Sequence, residues 1–148
     1  MIIVSSCLLG IPCRYDAKSK PNDEAIALYL SGAAVPVCPE IFGGLPTPRA
    51  SAEIVGGSGE DVLSGRAWVK ARMENGETAD VTNEFILGAL KTIQIAIDCG
   101  AKTAVLKAKS PSCGCGMIYD GSFCGRLREG NGVTAALLIK NGIDVRSL

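Results

Sequence analysis

MIIVSSC (Met1–Cys7) sets a short apolar run, Ile2-Ile3-Val4, in front of two serines and a thiol, and its reading decides the fold. The arrangement recurs twice along the chain. Cys38 follows Ala33-Ala34-Val35-Pro36-Val37, and Cys113 lies a little past Thr103-Ala104-Val105-Leu106. Read as parallel strands of one sheet, the three runs deliver all three thiols to its carboxyl edge. Open α/β sheets bind their ligands there, in the crevice outside the strand ends. The 148 residues include no histidine, so any metal chemistry must use thiolate and carboxylate without imidazole. Three soft ligands and one open position point to an iron–sulfur cluster.

Working outward, strands and helices alternate with one interruption. Residues 2–6 read as a strand, and Asn22 or Asp23 caps a short helix over Glu24–Ser31 that stops at Gly32. Val35–Val37 is the second strand. From Pro39 to about Ser64 the chain is rich in glycine and proline and reads as a long functional loop. Ala67–Met73 alternates, Asn75-Gly76 signals a type I′ turn, and a second hairpin arm runs to Asp80. The longest helix spans Asn83–Asp98 with Thr82 as cap and Gly100 as stop; Ile86, Leu90, Ile93 and Ile97 form the stripe expected to face the sheet. Thr103–Leu106 is the third core strand, Val133–Lys140 the last helix and Ile143–Val145 the closing strand. The pattern predicts an α/β, Rossmann-like or flavodoxin-like fold: an open, mostly parallel sheet of order 2-1-3-4 with an inserted β-hairpin. Winding then reverses between the strands that precede Cys7 and Cys113.

Composition narrows the function. A chain of this length buries roughly 70% of its unfolded surface, enough for one domain over residues 1–148. Fifteen basic and fifteen acidic residues cancel, so nothing global attracts nucleic acid or an anionic membrane. The first residues lack a basic stretch, the apolar run is cut at Ser5-Ser6, and no run reaches the ~20 residues of a membrane span. A cytoplasmic protein is expected. Seven cysteines, an odd number, argue for reduced thiols and ligands over a disulfide framework.

Four segments carry a resemblance: SCLLGIPCRYD (Ser6–Asp16), PVCPEIFGGLPTPR (Pro36–Arg49), LKAKSPSCG (Leu106–Gly114) and YDGSFCG (Tyr119–Gly125). Together they are similar to the bacterial thiouracil desulfurase family, and the likeness runs essentially end to end. It implies a [4Fe–4S] cluster held by three cysteines, one iron without a protein thiolate, and non-redox removal of sulfur from a thiocarbonyl. Carried over by motif, the ligands are Cys7, Cys38 and Cys113, with Cys13 a neighbour. The resemblance also makes Glu40 and Ser110 the expected catalytic pair.

The residues support that chemistry on their own terms. Glu40, two residues past Cys38, is placed to serve as base or proton shuttle, and Ser110, three before Cys113, to donate to substrate or water. The expected substrate is a free thiolated pyrimidine base or nucleoside, with 2-thiouracil, 4-thiouracil, a thionucleoside and thiolated tRNA all presenting the required group. Plainer readings stand beside these. A cysteine at a strand end is commonly a small buried hydrophobe, as expected for Cys99. Cys115 and Cys124 lie in glycine-rich turns, Ser110 can simply make a turn, and Arg14 and Arg49 can pair with carboxylates structurally. Two other classes compete. CLLGIPCR resembles the phosphate loop of low-molecular-weight phosphatases and arsenate reductases, but encloses six residues where that loop encloses five. A non-catalytic metal or iron–sulfur module is the third, although dispersed single cysteines lack the paired knuckles of a zinc site.

Overall fold

The computed structural model describes residues 1–148. Its central sheet is parallel, with the strands β1 (Ile2–Ser5), β2 (Ala34–Val37), β6 (Thr103–Leu106) and β9 (Asp144–Ser147) in the order β2-β1-β6-β9. This is the order read from the sequence. Ile3 and Val4 are both fully buried but in different cores, because neighbouring side chains of a strand point to opposite faces. Ile3, Ala104 and Leu106 pack against the helices α4 (Thr82–Asp98) and α5 (Val133–Lys140). Val4 and Val105 pack instead toward Ala25 of α1 (Asp23–Leu30). Asn22 caps α1, its side chain accepting from the amides of Glu24 and Ala25. Pro36 is tolerated in β2 because that strand is an edge of the sheet.

The Pro39–Ser64 stretch departs from the expected loop. It contains α2 (Pro39–Phe42), β3 (Ser51–Val55) and α3 (Gly59–Leu63). β3 pairs antiparallel with β4 (Trp68–Arg72), which pairs with β5 (Thr78–Asp80), so the expected hairpin is two-thirds of a three-stranded sheet. That sheet encloses a second core around Ile54, Val69 and Phe85. The hairpin turn is also not type I′. Gly76 alone takes positive φ (87°), and its amide bonds the Met73 carbonyl, giving a type I turn closed by a left-handed glycine. A further hairpin, β7 (Met117–Tyr119) with β8 (Leu127–Glu129), lies between β6 and α5.

Helix α4 starts at Thr82, but Thr82 is not its cap. The Asp80 carboxylate accepts the Thr82 amide, and the Thr82 hydroxyl accepts the amide of Val69, tying the helix to β4. The stripe is rotated from its expected face as well. Leu90 and Ile97 are 50% and 61% exposed, while Phe85, Gly88, Ala89, Thr92, Ile93 and Ala96 are buried. Small residues prevail there because α4 is crossed closely by α2 and α5. No helix is long and apolar enough to cross a membrane.

Candidate active site

At the carboxyl edge of the parallel sheet lies a cavity of about 570 Å³, lined by Cys7, Cys38, Cys113, Glu40 and Ser110 together. Each thiol arrives by a different local device. Cys7 sits in a 3-10 turn, Ser6–Leu9, that follows β1 directly and ends at left-handed Gly10 (φ 88°). Cys38 is the residue before α2, with Pro39 fixed at the first helical position, and the Ile41 amide points back at its sulfur. Cys113 sits in a turn that Ser110 organises: the Ser110 hydroxyl accepts the amides of Ser112 (3.1 Å) and Cys113 (3.0 Å). Since both bonds use oxygen lone pairs, the Ser110 proton stays free to donate elsewhere.

A fourth thiol, Cys13, joins them. It is buried, lines the same cavity and contacts both Cys7 and Cys38. The bond with Cys38 favours its ionisation, but the bond with Cys7 and burial prevail and push Cys13 up to about 11. Cys38 is raised further, by its bond with Cys13 and by burial. Burial pushes the Cys113 thiol up to about 12, although Ser5 and Ser112 beside it favour the thiolate. Without a metal Cys13, Cys38 and Cys113 stay protonated at neutral pH. A cationic centre bound among them would reverse that preference.

Glu40 and Arg49 form the polar wall. Arg49 donates from Nε to Glu40 Oε2 at 2.6 Å, and the two side chains are only 7% and 16% exposed. Its Nη2 donates to the Cys13 carbonyl at 3.0 Å, while Nη1 reaches the Pro46 carbonyl and the Thr47 hydroxyl at 3.2 Å each. One guanidinium thus fixes the carboxylate and the Cys13 loop together. Arg14, Lys20, Lys107 and Lys109 add positive charge to the lining against Glu40 and Glu53. Burial lowers the pKa of half-buried Lys107, with Cys7 nearby opposing that shift.

These residues fit an iron–sulfur cluster. The donors are thiols, three of them buried and Cys38 half-buried, and the cations beside them suit an anionic cluster-thiolate unit. A structural zinc takes four ligands, often from paired knuckles, whereas these thiols arrive singly from separate segments. The phosphate-loop geometry is not formed either. The amides of Gly10, Ile11, Cys13 and Arg14 already bond the carbonyls of Cys7, Ser6, Ile11 and Lys18, leaving few to surround an anion.

The other cysteines lie outside the cavity. Cys99 packs on the core at the end of α4, Cys115 donates to the carbonyl of Val145 on β9, and Cys124 is exposed in the β7–β8 loop. Sequence reasoning missed Lys107 and Lys109, although they follow β6 by the same rule that placed the thiols. It also missed Tyr15, Tyr119, Phe123 and Glu53. Glu53 accepts the amides of Gly121 and Phe123, contacts 68 and 70 residues away in the chain, and no local pattern encodes such a pairing.

An α/β fold with four thiols, a carboxylate–guanidinium pair and a serine lining one cavity at the carboxyl edge of its parallel sheet defines the class. The chain belongs to the 2-thiouracil desulfurase family, whose model matches residues 2–147. It is 48% identical over 147 residues to YbbK, an uncharacterized protein of Bacillus subtilis (strain 168), covering 99% of this chain and 95% of that one. Among solved structures it is similar to TudS, a [4Fe–4S]-dependent thiouracil desulfidase: the TM-score is 0.81 at 44% identity, over 99% of this chain and 89% of the other.

Proposed function

We propose that this protein hydrolyses thiolated pyrimidines such as thiouracil, releasing hydrosulfide without net electron transfer, with a [4Fe–4S] cluster held by Cys7, Cys38 and Cys113. When bound, a cluster with one iron free of protein thiolate supplies a soft Lewis acid for the thiocarbonyl sulfur and polarises the ring carbon. Oxygen from water replaces sulfur on that carbon, so the products are the pyrimidine carbonyl and hydrosulfide, and no oxidant or reductant is consumed.

The chain's own residues manage the proton. Arg49 occupies Glu40 Oε2, leaving Oε1 as the acceptor for the proton of the attacking water. Glu40 then returns that proton to the departing sulfur or the ring nitrogen. Ser110, with both lone pairs engaged by backbone amides, donates its hydroxyl proton to the substrate's heteroatoms. Lys107 and Lys109 stand at the same mouth and favour the build-up of negative charge during attack.

The observation that carries this reading is the convergence of three thiols from three strand ends with Glu40 and Ser110 on one cavity. Zero net charge and the small cavity support a free base or nucleoside as substrate over tRNA. The test incubates cluster-loaded protein anaerobically with 2-thiouracil, 4-thiouracil, 4-thiouridine and thiolated tRNA. The expected result is hydrosulfide and the oxo-pyrimidine in equal amounts from a free base or nucleoside. No hydrosulfide from any of the four overturns the proposed activity, and release from tRNA alone overturns the substrate class.

A further inference from the structure

The loop between β7 and β8 bends back over the cavity and is fastened there by a residue from a different sheet. Glu53, on β3, accepts the amide of Gly121 at 3.0 Å and that of Phe123 at 3.2 Å through one carboxylate oxygen. Gly121 lies so close to β3 that a Cβ on it would meet the Ile54 carbonyl oxygen at 2.4 Å. Phe123 itself takes φ 57°, a left-handed conformation that costs a bulky residue free energy and persists only where the surroundings impose it. The Lys70 ammonium and the Arg72 guanidinium stand 5.9 and 5.8 Å from the ring centroid, and Phe123 is part of the cavity lining. A half-buried aromatic side chain is therefore held at the mouth of a site by two backbone bonds, a close glycine contact and two cations.

We propose that Phe123 is the stacking wall for the pyrimidine ring and that Glu53 is the residue that positions it. The inference rests on the thiopyrimidine reading above and adds the ring-recognition element that the thiols, Glu40 and Ser110 do not supply. A flat aromatic ligand gains from an aromatic face whatever its substituents, so stacking binds the ring while the polar wall selects the sulfur. Held by the strap, the ring contributes without first being ordered when substrate enters.

The test compares Phe123→Ala, Phe123→Leu, Phe123→Trp, Glu53→Ala, Glu53→Gln and the double variant Glu53→Ala/Phe123→Ala, each cluster-loaded and normalised to iron. Turnover of thiouracil is read together with equilibrium dialysis of labelled uracil, which stacks but carries no sulfur. Phe123→Ala and Phe123→Leu raise KM for thiouracil and weaken uracil binding by the same factor, about tenfold or more, with kcat and iron content unchanged. Phe123→Trp restores both. Glu53→Ala reproduces the loss, Glu53→Gln recovers it because its amide oxygen still accepts the two N–H groups, and Glu53→Ala adds nothing in the Phe123→Ala background. Wild-type KM and uracil affinity in Phe123→Ala, or in Phe123→Leu, overturn the stacking role while leaving the desulfidase reading in place. A wild-type protein that turns over no thiopyrimidine overturns both.

Discussion

The carbonyl oxygen of Pro39 lies 1.9 Å from where a Cβ on Gly88 would stand. Helix α4 thus carries no side chain where α2 crosses it, and the contact is reciprocal: a Cβ on Gly43 would meet the Glu84 carbonyl oxygen, also at 1.9 Å. Because α2 begins immediately after Cys38 and contains Glu40, the depth at which it docks sets where both groups stand in the cavity.

Gly88→Ala is accordingly expected to act on the site from the far side of α2. Helix propensity favours alanine, yet the methyl must push α2 outward, and overpacking of this kind costs ~1–3 kcal/mol. Thermal unfolding should show the loss, with iron retention falling alongside it. A variant at least as stable as wild type that keeps full iron would mean α2 is not seated by this contact.

The Glu40–Arg49 pair separates proton transfer from architecture. Glu40→Gln keeps an acceptor for Arg49, whose other nitrogens still hold Cys13, Pro46 and Thr47. It should fold and load iron normally while losing ~10²–10⁴-fold in hydrosulfide release. Arg49→Lys cannot reach the same acceptors at once and leaves a nearly buried carboxylate without its fork. We expect it to lose stability, by up to ~3 kcal/mol, as well as activity. Wild-type rates from Glu40→Gln would remove Glu40 from the mechanism.

Ser110→Ala removes one hydroxyl with two duties. The amides of Ser112 and Cys113 lose their acceptor, which costs ~1 kcal/mol, and the cavity loses a donor. Ser110→Thr keeps the hydroxyl and should recover iron binding. Activity that follows iron content through both variants would assign Ser110 to the Cys113 turn alone; activity lost beyond iron content in Ser110→Ala supports the donor role.

Where order was local, it was legible. The strand–thiol pattern at Cys7, Cys38 and Cys113 gave the sheet order and brought the candidate residues to one edge, since parallel strands joined by crossovers end on the same side. The Pro39–Ser64 region misled because its glycines and prolines bound very short elements: α2 spans four residues, and β3 exists only through its pairing with β4. The face of α4 misled for a related reason. Periodicity marks large apolar residues, whereas a helix crossed closely by two others buries glycine, alanine and threonine. Arg49's reach to Cys13, across 36 residues, and Glu53's hold on Phe123 are tertiary contacts that no window of sequence displays.

Metal and labile-sulfide analysis of anaerobically purified protein tests the central claim most directly. The wild type is expected to hold about four irons and four sulfides per chain. Cys7→Ser, Cys38→Ser and Cys113→Ser should each lose them, while Cys99→Ser, in the core away from the cavity, keeps them. One zinc per chain with no iron, or a cluster that survives Cys7→Ser but not Cys13→Ser, would contradict the account.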